Sequence, residues 1–185
     1  MNIPIEHVKI STHSAGSGQP LSQTTRQGWG PRTQDAVAFD PEYSVGARNA
    51  VSVCLRVQPE EKVCVITDEV TLEIAAAIVD ELEKLGSPHR VWVLEDLAER
   101  PLKDLPPEIL ADLETSQVSI FAVWAQRNEL RSRMQMTDVV NRKKIRHAHM
   151  VNINRQIMLE GMRTDFQKVD RLSAKVADSE AGRSS

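Results

Sequence analysis

The sequence predicts an α/β fold, a Rossmann-like layered structure with a mostly parallel sheet of about four strands flanked by helices. Three observations predict it. Short runs rich in β-branched residues, at 62–67 (KVCVIT), 90–94 (RVWVL), 118–123 (VSIFAV) and 147–153 (HAHMVNI), have the character of strands. Segments with apolar residues at helical spacing separate them. The strands are mostly continuous apolar runs rather than alternating ones, which points to burial on both faces of a parallel sheet. Right-handed crossovers then make the layers doubly wound.

Each element has its own signal. Order is expected from Phe39, with Asp40 as a helix cap and Pro41 at the first helical position. Val45, Ala47, Ala50, Val51, Cys54 and Leu55 form a helical stripe that Pro59 stops. After the first long strand, Asp68 or Thr71 can cap a helix whose apolar face is Leu72, Ala75, Ala76, Val79, Leu82 and Leu85, with Gly86 as its end. Residues 95–105 are expected to be a loop, and Pro106-Pro107 to open a short helix through Leu113. Residues 130–144 are helical by pattern, and residues 155–162 a short helix or turn. A last helix starts at Asp165 and runs to Ala177 with Phe166, Val169, Leu172 and Val176 on one side. The expected organisation is a disordered polar tail over residues 1–38, one α/β domain over 39–177, and a second disordered tail over 178–185.

Composition narrows the function. Of 185 residues, 41% are hydrophobic and 26% charged, which suits one domain with a real core. A net charge of -3 gives no global attraction to nucleic acid or to an anionic membrane, so neither is an expected partner. No apolar run approaches the ~20 residues of a membrane span, and residues 1–9 hold no secretory core, so the reading is cytoplasmic. The two cysteines, Cys54 and Cys64, have no CxxC partner and are expected to be reduced, Cys64 in a buried strand.

Ligands of open α/β sheets bind beyond the carboxyl ends of the strands. The first such turn is Thr67-Asp68-Glu69, which has two carboxylates and no glycine and therefore argues against a dinucleotide site. It can bind a cation or a substrate amine; equally, Asp68 can cap the next helix and Glu69 complement its dipole, and capping is the stronger preference. His147 and His149 lie two apart on a predicted strand and so share one face. They are a candidate metal pair, but a zinc site takes three or four ligands, which favours a hydrogen-bonded structural pair at a sheet edge. Charges segregate: residues 95–114 hold seven acids and two bases, and residues 127–146 seven bases and two acids. Such faces suit solvent, a second domain or a second subunit, and no aromatic residue is interleaved for base stacking. No catalytic signature is present, and no catalytic or metal-ligand residue is assigned.

The segments Phe39-Asp40-Pro41-Glu42-Tyr43, Ala47-Arg48-Asn49-Ala50, Val57-Gln58-Pro59 leading into Val65-Ile66-Thr67-Asp68-Glu69, the run from Arg146 to Ile153, and Met158-Leu159-Glu160-Gly161-Met162 follow one another in order. In that order and spacing the chain from Phe39 to Lys175 resembles the amino-terminal half of the aminopeptidase T family of metallo-aminopeptidases. The resemblance implies a two-domain exopeptidase that removes amino-terminal residues from peptides. It also implies two divalent metals held by Glu, His, Tyr and Asp side chains of a carboxyl-terminal domain, none of which maps onto this chain. The expectation is therefore a domain inactive alone and without a cofactor of its own, whose partner is the carboxyl-terminal domain or a second subunit, with peptide substrate bound only by the full enzyme. The alternatives are a non-catalytic interaction module, or a relative of the iron-dependent dihydroxypyridine dioxygenase that shares the architecture.

Overall fold

The computed structural model describes residues 22–24, 37–166, 168–169 and 171–174. Strands β3 (Val63–Thr67) and β5 (Val118–Ala122) are buried at all five positions, as their nearly continuous apolar sequences lead one to expect. They pair in parallel, Val63 opposite Val118 and Thr67 opposite Ala122. β4 (His89–Val93) adds to the free side of β3, and β6 (Arg146–His149) to the free side of β5, both parallel. The order is β4-β3-β5-β6, an all-parallel sheet. Two shorter strands, β1 (Ser22–Thr24) and β2 (Val37–Phe39), form a separate antiparallel pair. β1 falls inside the stretch expected to be a disordered tail; the rest of residues 1–36, and all of 175–185, lie outside the described residues.

Helices cover both faces. α1 (Tyr43–Arg48), a π-helical stretch (Asn49–Cys54), α2 (Leu72–Leu85) and α6 (Arg155–Leu159) enclose one core. There Ile74, Ile78, Val79 and Leu82 of α2 meet Val63, Val65, Val91, Val118 and Ile120. On the other face, α4 (Pro107–Glu114) and α5 (Leu130–Lys143) bring Ile109, Leu113, Met136 and Val140 onto Cys64, Ile66, Trp92 and Phe121. Each such side chain, fully buried, contributes about 1.5–3 kcal/mol. Trp92 donates its indole N–H to Asp112 at 2.9 Å, and Lys62 pairs with the same carboxylate at 2.6 Å, so the indole and the carboxylate are both matched.

The local signals explain the boundaries. α2 ends because Gly86 adopts φ +76°, and its N–H reaches back to the Glu83 and Leu82 carbonyls. α5 ends on Lys144 at φ +55°. Four expectations change. The first helix starts at Tyr43, since Asp40 Oδ1 takes the Glu42 N–H and holds residues 40–42 in a turn. Val45 of the predicted stripe is exposed on the α-helical turn, and the wider π pitch that follows, marked by the Leu55 N–H bonding the Ala50 carbonyl, leaves Cys54 exposed as well. The predicted loop at 95–105 begins with a helical turn, α3 (Leu94–Leu97). The fourth strand stops at His149; Met150 and Asn152 still donate to Phe121 and Val123, but Asn152 turns at φ +58°.

α6 docks across α1 at a point that admits no side chain. A Cβ on Gly46 would lie 2.9 Å from the Met158 carbonyl oxygen and 3.0 Å from Met162 Cβ. Met158 itself is fully buried. Beyond a 3-10 turn at Gly161–Arg163, the described residues from Phe166 to Ala174 are helical, with Val169 and Leu172 exposed. Met158→Ala should cost about 2–5 kcal/mol, whereas Leu172→Asp, at a position 54% exposed, should stay within about 0.5 kcal/mol and raise solubility. Urea unfolding of the two variants checks both; a loss of several kcal/mol for Leu172→Asp would mean that the terminal helix is docked.

Candidate functional site

The switch point of this sheet lies between β3 and β5, whose outgoing chains leave to opposite faces. The crevice expected there is filled by the chain itself. Asp68, directly after β3, is fully buried. Its Oδ1 accepts the Thr71 N–H at 2.9 Å and the Thr71 hydroxyl at 2.7 Å. Its Oδ2 accepts the Trp124 N–H at 2.7 Å, which ties the end of β3 to the end of β5. Thr71 Oγ1 also lies 2.6 Å from the Ala122 carbonyl oxygen, closing the same seam two residues earlier.

Arg100, from the segment between α3 and α4, plugs the centre, its side chain only 4% exposed. Nε donates to Glu129 at 2.8 Å, Nη1 to Asp68 at 2.7 Å and Glu95 at 3.1 Å, and Nη2 to Glu129 at 2.6 Å and the Trp124 carbonyl at 2.9 Å. All five guanidinium N–H groups are thereby used. Burial alone would push the Glu129 carboxyl up; the Arg100 hydrogen bonds, the Leu102 and Gln126 amides and the Arg100 charge outweigh it and hold Glu129 below the usual range. The same contacts hold Arg100 above its ordinary value despite its own desolvation.

Of the carboxylates singled out in the sequence, Asp68 therefore has both oxygens engaged within the fold. Glu69 is exposed, and its N–H donates to Glu95 Oε2 at 3.1 Å. Arg100, Glu95 and Glu129 carry no motif. The one trace was a lone arginine, followed by proline, inside an acidic run; what that arginine bonds is set by chain segments about thirty residues away.

The histidine pair sits elsewhere, on edge strand β6. His147 is half-buried and His149 exposed. The register sets Ser119 opposite His147 and Phe121 opposite His149. Ser119 Oγ and His147 Nδ1 share a hydrogen bond of 2.8 Å, and His147 Nε2 and His149 Nδ1 one of 3.2 Å. Phe121 stacks on His149, centroids 5.5 Å apart and planes 17° off parallel. Burial, helped by His149, pushes His147 down to about 4. Burial and the charge of Arg133 lower His149. Asp68 and the histidines are thus separate features, and among the described residues no three His, Cys, Asp or Glu side chains gather as a metal-holding group. Ser119 was missed because a single serine inside an apolar strand has no periodic signal.

The two charged segments meet at a few surface pairs. Glu114 pairs with Arg142 and with Lys143, Asp104 with Arg131 at 2.8 Å, and Gln135 donates to Asp104 at 2.7 Å. At the amino ends of β5 and β6 lies a notch of about 320 Å³ whose lining mixes Lys143, Lys144 and Arg146 with Glu61 and Glu114. Arg146 is committed there to Glu61 and to the Leu55 carbonyl.

Two measurements follow from this geometry. Arg100→Ala should lower stability by about 3–5 kcal/mol, since it strands buried carboxylates. Arg100→Lys should rescue little of it, because a point charge cannot supply five forked donors. Glu129, lowered in the fold, stabilises it above the usual carboxylate range and loses that contribution as pH falls through its folded value. Urea unfolding against pH should therefore show an acid-side decline that is shallower in Glu129→Gln. In imidazole NMR titrations, His147 should change charge near pH 4 rather than near its ordinary 6.5; a midpoint above 6 would contradict its burial. In comparison with known proteins, no protein-family model and no curated protein matches the chain.

Proposed function

We propose that this chain is a non-catalytic α/β domain of an aminopeptidase T-like metallo-exopeptidase, and that it works by docking against a metal-binding catalytic domain or a second subunit. The observation that carries the non-catalytic part is the filled switch point. Where an open α/β sheet ordinarily takes its ligand, Arg100, Asp68 and Glu129 saturate one another under an almost closed surface. A substrate would have to displace five hydrogen bonds to enter.

The family part rests on the ordered segments that resemble aminopeptidase T, and their packing is consistent with a shared structural unit. The second and the last of them, over a hundred residues apart, touch. Asn49 donates to the Met162 carbonyl at 2.7 Å, Gly46 lies under Met158, and the intervening Arg155 reaches Asp40 at 3.0 Å and Glu42 at 2.9 Å. Around this unit Val45 and Ile157 are exposed, as are Val169 and Leu172 on the terminal helix, which suits a docking role.

The pure chain, supplied in turn with zinc, cobalt and manganese, should not hydrolyse leucyl-p-nitroanilide above the metal blank. Robust turnover that a chelator abolishes would overturn the non-catalytic reading. A chimera carrying residues 39–174 in place of the amino-terminal domain of an aminopeptidase T enzyme should fold and keep peptidase activity. A folded, metal-loaded chimera without activity counts against the family assignment.

A further inference from the structure

We propose that His147 and His149 form an open site for one borderline transition-metal cation of the Cu2+, Zn2+ or Ni2+ class, bound by His147 Nε2 and His149 Nδ1. The site is independent of the proposed exopeptidase role and of any metals held by another domain.

The two nitrogens already stand at ligand spacing. They are 3.2 Å apart. A cation bound to two imidazoles at its usual bond lengths holds them roughly 3.0–3.4 Å apart at square or tetrahedral angles. The pair shares a hydrogen bond now; a cation would replace the shared proton, with both rings turned so that their lone pairs converge on it. Strand geometry delivers both side chains to one face.

The surroundings fix the rings as the outer partners of a metal site do. Ser119, fully buried, holds His147 Nδ1 at 2.8 Å and so turns Nε2 toward the second ring. Phe121 stacks on His149 and limits its rotation. Both supports come from β5, whose register with β6 sets them opposite the two histidines. On the outer side β6 has no neighbouring strand among the described residues and His149 is exposed, so the remaining coordination positions open to water or to an external ligand.

The donor set selects the cation. Two imidazoles, with no carboxylate or thiolate grouped with them among the described residues, suit borderline metals and not Mg2+ or Ca2+, which require oxygen. With two protein ligands the affinity is micromolar rather than that of a structural zinc site. From α5, Arg133 brings a positive charge near His149, and its Nε is buried without a partner. That charge opposes a bare cation and favours one that arrives with an anionic ligand.

Calorimetric titration of the full chain with CuCl2 and with ZnCl2, paired with imidazole NMR, tests the site. A single micromolar site is expected, with no response to Mg2+ or Ca2+, and Zn2+ should move the His147 and His149 resonances together. His149→Ala, at an exposed position, should remain folded and lose affinity at least about tenfold, and Ser119→Ala should lose about tenfold by freeing the His147 ring. Arg133→Gln should bind severalfold more tightly, an effect that binding elsewhere would not produce. The variant His7→Ala/His13→Ala/Cys54→Ser should bind as the parent does. Millimolar binding only, full binding by His149→Ala, or loss of binding in the His7/His13/Cys54 variant would each overturn the proposal.

Discussion

Carboxylates gathered under apolar walls repel one another, and near the ends of β3 and β5 the chain gathers three: Asp68, Glu95 and Glu129. One guanidinium makes that arrangement tolerable. Arg100 spends every donor on them and on the Trp124 carbonyl, while the amides of Thr71, Trp124, Leu102 and Gln126 serve the carboxylate oxygens from the other side. The consequence is topological as much as energetic. The connection after β3, the segment after α3, the loop after β5 and the start of α5 are all tied to a single side chain. A buried ion cluster is weak evidence for extra stability compared with an apolar plug of the same shape. What it supplies here is register: these loops can satisfy Arg100 together in one arrangement.

The sheet was legible because its evidence is local. VCVIT and VSIFA are each apolar but for one small hydroxyl residue, Thr67 and Ser119, and in the structure both are strands buried at every position. Gly86 was legible as a helix end for the same reason, since a left-handed residue is needed there and glycine provides it at no steric cost. The plug was not legible. Asp68 had a sufficient local explanation as a cap, and its hydrogen bond to the Thr71 N–H fits that explanation. Its second oxygen answers to Arg100 and Trp124, more than thirty and more than fifty residues away, and no spacing rule spans such distances. The histidines were half legible: period two put them on one face, but the serine that orients them comes from another strand.

Charge segregation along the chain turned out to be a statement about folding as well as about surface. α4 and α5 lie side by side on one face of the sheet, so the acidic stretch and the basic stretch become neighbours and bridge through Glu114 and Asp104. Exposed pairs of this kind add little to stability. Their use is selective, since a misplaced α5 would set like charges together. Exposed apolar side chains are spread over the surface: Leu130 and Met134 lie on α5, Trp124 beside the closed switch point, and Val45 and Ile157 on the helices that cover the opposite face.

An open sheet always has two raw edges, and each is a template on which another chain can polymerise. Here both are poor templates. β6 offers four residues, with arginine first and an exposed imidazole last, before Asn152 turns the backbone away. β4 opens on the partly exposed His89 and the exposed Arg90, whose guanidinium lies 4.1 Å over the Trp92 ring and shields the largest apolar surface on that strand. The most adhesive strands, β3 and β5, occupy the centre, where both of their hydrogen-bonding rims are already taken. The strand order that creates the switch point thus also guards the folded chain against amyloid-like growth.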